Sequence, residues 1–347
     1  MGARTDGVRI RNWPETGPAD VLSLEEIPDG AAKAPEGGRS SDTRRRVVVS
    51  AFGCELPAQV RSRLAPADGG QPPPLWVNLE YLSAEDWVEG CHGLASIKPS
   101  DGAVEHFFYP GFTPATGGLL RERGLLQARA DFEARGEAGD WLAAHRLSPA
   151  PGERLLSLFC YPDAPASDLF GLLAVGAQPS RVLVPEGIAL AEVEHFLGAP
   201  LPVGGEARRG QLCLQRFGLL DQDGYDRLLW SCDLNFVRGE DSWIRAHWAR
   251  RPFVWQPYTQ AEDTHLAKLE AFLSAFQGVA GPATEAAEMM RAWSGQGPLA
   301  IAWPAFSRPP DSPAGEAQAC AYARWSDHLA GQRDLASSLV EFCRNRL

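Results

Sequence analysis

The chain is poor in the features that would place it in a membrane, outside the cell or on a nucleic acid. No apolar run approaches the ~18 residues that a bilayer span needs, so no membrane partner is expected. The opening MGARTDGVRI has no apolar core of a signal peptide. Seven cysteines (54, 91, 160, 213, 232, 320 and 343) are scattered without a C-x-x-C pair. An odd, dispersed set of this kind reads as reduced thiols and predicts a cytoplasmic protein. Basic residues are outnumbered, 33 against 44 acidic ones, for a formal charge of −11. Such a surface is not built to neutralise a phosphate backbone, so no direct nucleic-acid partner is expected. A small anionic ligand at a local site, or a protein partner, remains compatible with it. Also missing are G-x-G-x-x-G, a P-loop, a G-x-S-x-G elbow and H-E-x-x-H.

What is present is material for two cores. At 347 residues the chain is long enough for about two domains. Hydrophobic residues make up 44% and charged residues 22%, ordinary values for a folded protein. Glycine and proline total 35 and 28, which predicts many turns. The stretch from about 28 to 46, rich in Gly, Ala, Pro and Ser and ending in Arg44-Arg45-Arg46, reads as a flexible insertion. A short strand is expected before it, at Val8–Trp13.

Ordered pattern begins at Val47–Phe52, a β-branched run suited to a buried parallel strand. Leu75–Leu79 and His106–Tyr109 are further strands, and Ser83-Ala84-Glu85-Asp86 is expected to open a helix. Further on, strands at Leu155–Tyr161, Ser180–Val184, Gln211–Phe217, Leu234–Val237 and Phe253–Gln256 alternate with helices. These are read at Asp168–Val175, Ala189–Leu197, Tyr225–Cys232 and Ser242–Arg250. That alternation predicts a doubly wound α/β domain with a parallel sheet. A helical tail follows, with Thr264 as a cap candidate and a last amphipathic helix through Leu335, Leu339, Val340 and Phe342.

Ligands of open α/β sheets bind beyond the carboxyl ends of the strands. The richest segment there is Cys232–Trp243. A strand ends near Val237, Arg238-Gly239 makes a tight turn, and a helix opens near Ser242. Gly239 permits close backbone approach, the first helical N–H groups are free to meet an anion, and Arg238 adds a forked phosphate donor. Glu240 and Asp241 beside them fit as acceptors for ligand hydroxyls, a combination that suits a nucleotide sugar. The alternative is a capped helix start with an Arg–Glu surface pair. Phe159, Tyr161, Gln222, Tyr225 and Tyr258 also follow strands, and each has a packing or surface reading as well. Asp221-Gln222-Asp223 and Cys91-His92 lack metal-ligand spacing, so no metal is expected. His247 is expected to face solvent.

Four longer blocks carry a family resemblance. They are Trp76–Trp87, Tyr109–Glu122, Cys232–Ser242 and Asp334–Arg344, and they resemble the EarP family of protein-arginine rhamnosyltransferases, which modify translation elongation factor P. The likeness runs from about Val8 to Leu347. It implies a GT-B type α/β fold: two Rossmann-like halves facing across a cleft, the last helix crossing back to the first half. It divides the chain into 1–150 on the acceptor side, 151–325 for the nucleotide sugar and 326–347 for the returning helix.

The resemblance further implies transfer of L-rhamnose from dTDP-β-L-rhamnose to an arginine, with inversion and without a metal or other cofactor. Glu240 is then a catalytic carboxylate. Phe159, Tyr161, Leu220, Asp221, Gln222, Arg238, Gly239, Glu240, Asp241, Ser242 and Tyr258 bind the donor. Leu219 stands where the family has an aromatic residue. Members also begin with an Asp-Asn-[Tyr/Phe]-Gly-Asp-Ile-Gly loop, which this sequence does not contain. The expectation is a chain truncated before its first βα unit, with a partial donor site and impaired transfer. The alternatives are a module that binds elongation factor P without modifying it, and a transferase for another nucleotide sugar.

Overall fold

Short apolar runs rich in Val, Leu and Phe become the strands of two separate sheets. The structure, a computed structural model, describes residues 46–66, 72–187 and 189–347, with the backbone of β1 (Arg4–Thr5) and β2 (Val8–Arg9), which pair antiparallel. The rest of the expected Val8–Trp13 strand lies outside the described residues, as does the expected insertion apart from Arg46.

Two compact units divide the chain. Among the described residues, the first holds those up to Leu79, with Leu94–Phe107 and Asn345–Leu347. Its sheet has the order β3-β4-β6-β5. Strands β3 (Val47–Ala51) and β4 (Leu75–Leu79) are parallel in register Val47↔Leu75, and β5 (Ala95–Ile97) and β6 (Val104–Phe108) antiparallel. The single turn α1 (Ala58–Arg61) belongs with them. Trp76 packs with Leu64 and Ala103, and its indole N–H reaches Ser50 Oγ at 2.9 Å, so this buried polar group is satisfied.

The second unit comprises Glu80–Gly93 and Phe108–Arg344. Residues 108–150, expected with the first half, therefore cluster with the second. That segment carries α3 (Leu125–Ala134) and α4 (Ala138–Ala144); α2 (Trp87–Cys91) precedes it. Ser83 does not cap α2. Its Oγ accepts from Glu85 N–H in a local turn, and the helix starts at Trp87 after an uncapped Asp86.

The large sheet has six strands in the order β12-β11-β7-β8-β10-β9. They are β7 (Arg154–Leu158), β8 (Ser180–Pro185), β9 (Glu206–Arg209), β10 (Leu212–Phe217), β11 (Leu234–Arg238) and β12 (Phe253–Gln256). All pairings are parallel except the edge β9, which the sequence reading missed because Glu206–Arg209 carries three charged residues around a lone Ala207. Every residue of β7 and β12 is buried, as befits strands covered on both faces. Burying a side chain such as Phe253, Val254 or Trp255 contributes about 1.5–3 kcal/mol.

The crossovers are α5 (Ala166–Val175), α6 (Leu190–Leu197), α7 (Gln222–Ser231) and α8 (Asp241–Ala249). From β7 the chain lays β8 and β10 on one side, then β11 and β12 on the other. The reversal falls between β7 and β11, where a doubly wound sheet opens a crevice. Helices α9 (Thr264–Ala280), α10 (Thr284–Trp293), α11 (Leu299–Phe306), α12 (Pro313–Ala330) and α13 (Leu335–Arg344) complete the unit. Thr264 is the first residue of α9, not its cap; the cap position is Asp263, in a left-handed conformation. The expected final helix from 326 is two helices, broken at 331–334. Among the described residues, no helix is long and apolar enough to cross a membrane.

Candidate active site

The carboxyl ends of β7, β11 and β12 bring the site together. Register aligns Leu158 with Phe236 and Arg238 with Gln256, so the residues that follow each strand emerge at one level. Beyond β7 the chain continues through Phe159 and Tyr161. The Arg238 guanidinium lies 4.3 Å from the Phe159 ring centroid and 4.6 Å from that of Tyr161. Cation–π contact with both rings holds the guanidinium in place while its N–H groups stay available. Among the described residues, no carboxylate ion-pairs with Arg238 and no acceptor takes its side-chain N–H groups.

Gly239 then makes the turn at φ +59°. A Cβ there would come within 2.8 Å of Tyr161 Oη, so both backbone angle and space call for glycine. The turn is pinned on both sides. Gly239 N–H donates to the Gln256 carbonyl at 3.1 Å, and Trp255 Nε1 donates to the Gly239 carbonyl at 2.8 Å. Gln256 also accepts from Tyr161 N–H at 2.8 Å and donates to Asp163 at 3.0 Å, while Thr259 bonds the same carboxylate. Thus one amide at the end of β12 holds the loop after β7. The sequence reading missed Gln256; its only sign was a polar residue closing the apolar run Phe253-Val254-Trp255. Tyr258, 65% exposed, meets Tyr161 edge to face at 5.5 Å.

Helix α8 starts one residue earlier than expected, at Asp241. Its first backbone bond is Ile244 N–H to the Glu240 carbonyl at 2.8 Å, so the N–H groups of Asp241, Ser242 and Trp243 form an open helix start. No side chain caps it. The Ser242 hydroxyl is committed elsewhere: it accepts from Arg238 N–H at 3.0 Å and donates to the Arg238 carbonyl at 2.5 Å. Ser242 therefore shapes the turn with its side chain and offers a ligand its backbone N–H. Asp241 is exposed.

Glu240 is half-buried, and desolvation raises its carboxyl above the ordinary value. The Leu82 N–H bonded to it and the nearby Lys268 ammonium pull the other way. Lys268, on α9, also lies 5.9 Å from the Tyr81 ring. The Arg–Glu surface pair is thus not what forms: Glu240 turns to a backbone donor, and Arg238 to the aromatic rings. Burial likewise raises the Tyr161 hydroxyl, with Arg238 opposing, and pushes the Cys160 thiol up to about 12, so that thiol is not a nucleophile.

The start of α7 is different. Asp221 caps it, accepting from Gly224 N–H at 2.8 Å. Leu220 packs beside the small cluster of Phe217 and Leu228, Gln222 is exposed, and Leu219 is 82% exposed. The link from this turn to Arg238 runs through Tyr225, 6.2 Å from Phe159, with its buried hydroxyl beside Ser242. His247 does not face solvent. It is 1% exposed among Phe112, Trp243, Phe253, Phe272 and Trp325, and Nδ1 accepts from Trp325 Nε1 at 3.0 Å. Burial lowers its pKa to about 3, so it stays neutral. Among the described residues no three His, Cys, Asp or Glu side chains cluster as a metal site, and His92 accepts from Tyr109 N–H.

A guanidinium held against two rings at the switch point of a doubly wound sheet, next to an uncapped helix start and a half-buried carboxylate, has the chemistry to receive a phosphorylated ligand. The chain belongs to the EarP family: the family model described as "Elongation-Factor P (EF-P) rhamnosyltransferase EarP" matches residues 29–344. This is a family of glycosyltransferases. A protein-arginine rhamnosyltransferase of Pseudomonas aeruginosa is 46% identical, over 85% of this chain and 77% of that protein. One of Pseudomonas putida is 44% identical, over 98% and 83%. A solved structure described as the basis for EarP-mediated arginine glycosylation of translation elongation factor EF-P is 37% identical and superposes with a TM-score of 0.61. It covers 69% of this chain and 75% of that one.

Proposed function

We propose that this chain transfers L-rhamnose from dTDP-β-L-rhamnose to an arginine of translation elongation factor P. The observation that carries the donor reading is Arg238: held against two aromatic rings, its side-chain N–H groups uncommitted, and the open start of α8 beside it. A diphosphate there receives forked, charge-assisted hydrogen bonds and the positive end of a helix dipole. The named activities of the P. aeruginosa and P. putida relatives support rhamnose and arginine, and the EarP structure supports elongation factor P as acceptor.

The reaction is a single displacement. A guanidinium nitrogen of the acceptor attacks the anomeric carbon from the face opposite the dTDP. The bond from that carbon to the phosphate oxygen breaks, its electrons leave with dTDP, and the nitrogen gives up one proton to solvent. The β-linked donor gives an α-linked product. Arg238 and the α8 N–H groups carry the charge that develops on the departing diphosphate, the part a metal plays elsewhere. Glu240, ionised and screened from water, holds the sugar or the attacking guanidinium in line. Among the described residues no disulfide joins any cysteines, which accords with a reducing cytoplasm.

The test mixes the purified chain with elongation factor P and dTDP-β-L-rhamnose, and reads the acceptor by mass spectrometry. One deoxyhexose on one arginine is the expected product. No product, with the acceptor still bound, would instead make the chain a binding module. Product from UDP- or GDP-sugars alone would replace the donor.

A further inference from the structure

Helix α8 carries a second arginine that the donor reading does not use. Arg245 is 4% exposed and sits one turn beyond Asp241. Its guanidinium grips both oxygens of Glu122, with Nη1 to Oε2 at 2.7 Å and Nη2 to Oε1. The same Nη1 reaches Asp226 Oδ2 at 3.4 Å. Asp226 is 3% exposed and stands one turn beyond Gln222 on α7. Arg245 thus joins three things: the second turn of α8, the second turn of α7, and the segment that leads into α3. That segment is bonded further along α8 as well, since Trp248 Nε1 donates to the Leu120 carbonyl at 3.0 Å and Arg129 donates to the Trp248 carbonyl at 3.0 Å.

The charges make the arrangement costly for a merely structural contact. Asp226 is buried, and Glu122, Asp223 and Asp241 all add negative potential to it, with Arg245 as the opposing charge. Two apolar residues would join α7 to α8 with less desolvation. An ion triad instead fixes direction, because a planar guanidinium accepts two carboxylates only in set geometry. The turns it joins directly follow those bearing Asp221–Gln222 and Glu240–Ser242.

We infer that Arg245 is a positioning residue for the donor: by holding Asp226 and Glu122 together, it sets the spacing between the starts of α7 and α8. The inference rests on the proposed donor site and adds a residue that does not touch the ligand.

The experiment measures dTDP binding by calorimetry, and then initial rates with dTDP-β-L-rhamnose and elongation factor P, for the wild type, Arg245→Met and Arg245→Lys. Arg245→Met is expected to raise the dTDP Kd and the donor KM by roughly tenfold, about the worth of one well-placed charged hydrogen bond. The KM for elongation factor P is expected to stay unchanged. Arg245→Lys, which keeps the charge and loses the fork, is expected to fall between them. Should Arg245→Met fail to fold, Arg245→Lys and Glu122→Gln carry the same comparison. Unchanged donor KM in a folded variant, or equal rises in the donor and acceptor KM, would overturn the inference. A wild-type chain that does not bind dTDP would instead overturn the donor site on which it stands.

Discussion

Two helices begin on the same edge of the large sheet, and they end their backbone chains differently. At α7 the Asp221 carboxylate turns inward and satisfies Gly224 N–H. At α8 the cap position is Glu240, whose carboxylate turns away to Leu82 N–H and leaves the helix start open. The first arrangement closes a helix; the second keeps one available. A protein that seals one start and leaves its neighbour unsealed spends stability at the second, by about 1 kcal/mol of missing cap. The residues around the unsealed start fit the proposed donor site: Arg238 against two rings, and Gly239 where no Cβ fits.

The contrast can be broken most severely at the open start. Arg238→Met removes two charge-assisted bonds to a diphosphate, each worth about 1.5–3 kcal/mol, so dTDP affinity should fall roughly 100-fold or more while the thermal midpoint moves little. Titration calorimetry beside a melting curve checks both halves. Glu240→Gln comes next. On the proposed mechanism the ionised form is the working one, and desolvation places its pKa above the ordinary carboxylate value. Transfer by the wild type is therefore present at higher pH and lost as pH falls through that raised pKa. The variant should be slower by about 100-fold, in the range of a lost catalytic carboxylate, and should show no such acid limb in a pH–rate profile.

A smaller effect lies behind the two starts. Burial raises Asp226 to about 7. A carboxyl held above its unfolded value destabilises the fold only once it must ionise. Its penalty is absent below the unfolded pKa near 4, grows as pH rises, and is complete above about 7. Urea midpoints of the wild type should thus fall from pH 5 to pH 8 by on the order of 2 kcal/mol more than those of Asp226→Asn. The smallest change is at the sealed start. Asp221→Ala should cost about 1 kcal/mol of stability and alter dTDP affinity by less than about threefold. A large loss of affinity there would mean that the Asp221 carboxylate itself, and not only the placement of the α7 start, serves the ligand.

Much of this was legible in the residues. The β-branched run at Val47, the apolar run at Leu234 and the Arg-Gly turn before Ser242 announce parallel strands and a helix that opens just after one of them. What escaped is what depends on neighbours distant in sequence. Gln256 serves Tyr161, 95 positions away, and nothing local in Phe253–Gln256 foretells it. Leu82 reaches Glu240 through a backbone group, which carries no side-chain signature. His247 looked solvent-facing because α8 was read as having one polar side. In the structure that helix is buried almost all round, and the imidazole is a neutral acceptor inside an aromatic cluster. Residues 108–150 looked like part of the first half because they precede β7, yet they cluster with the second unit.

The most direct trial of the central claim is a crystal of this chain grown with dTDP. The account predicts the diphosphate against the Arg238 guanidinium and the N–H groups of Asp241, Ser242 and Trp243, with Glu240 still screened from solvent. A nucleotide bound elsewhere, or a Glu240 side chain swung into open water, would contradict it.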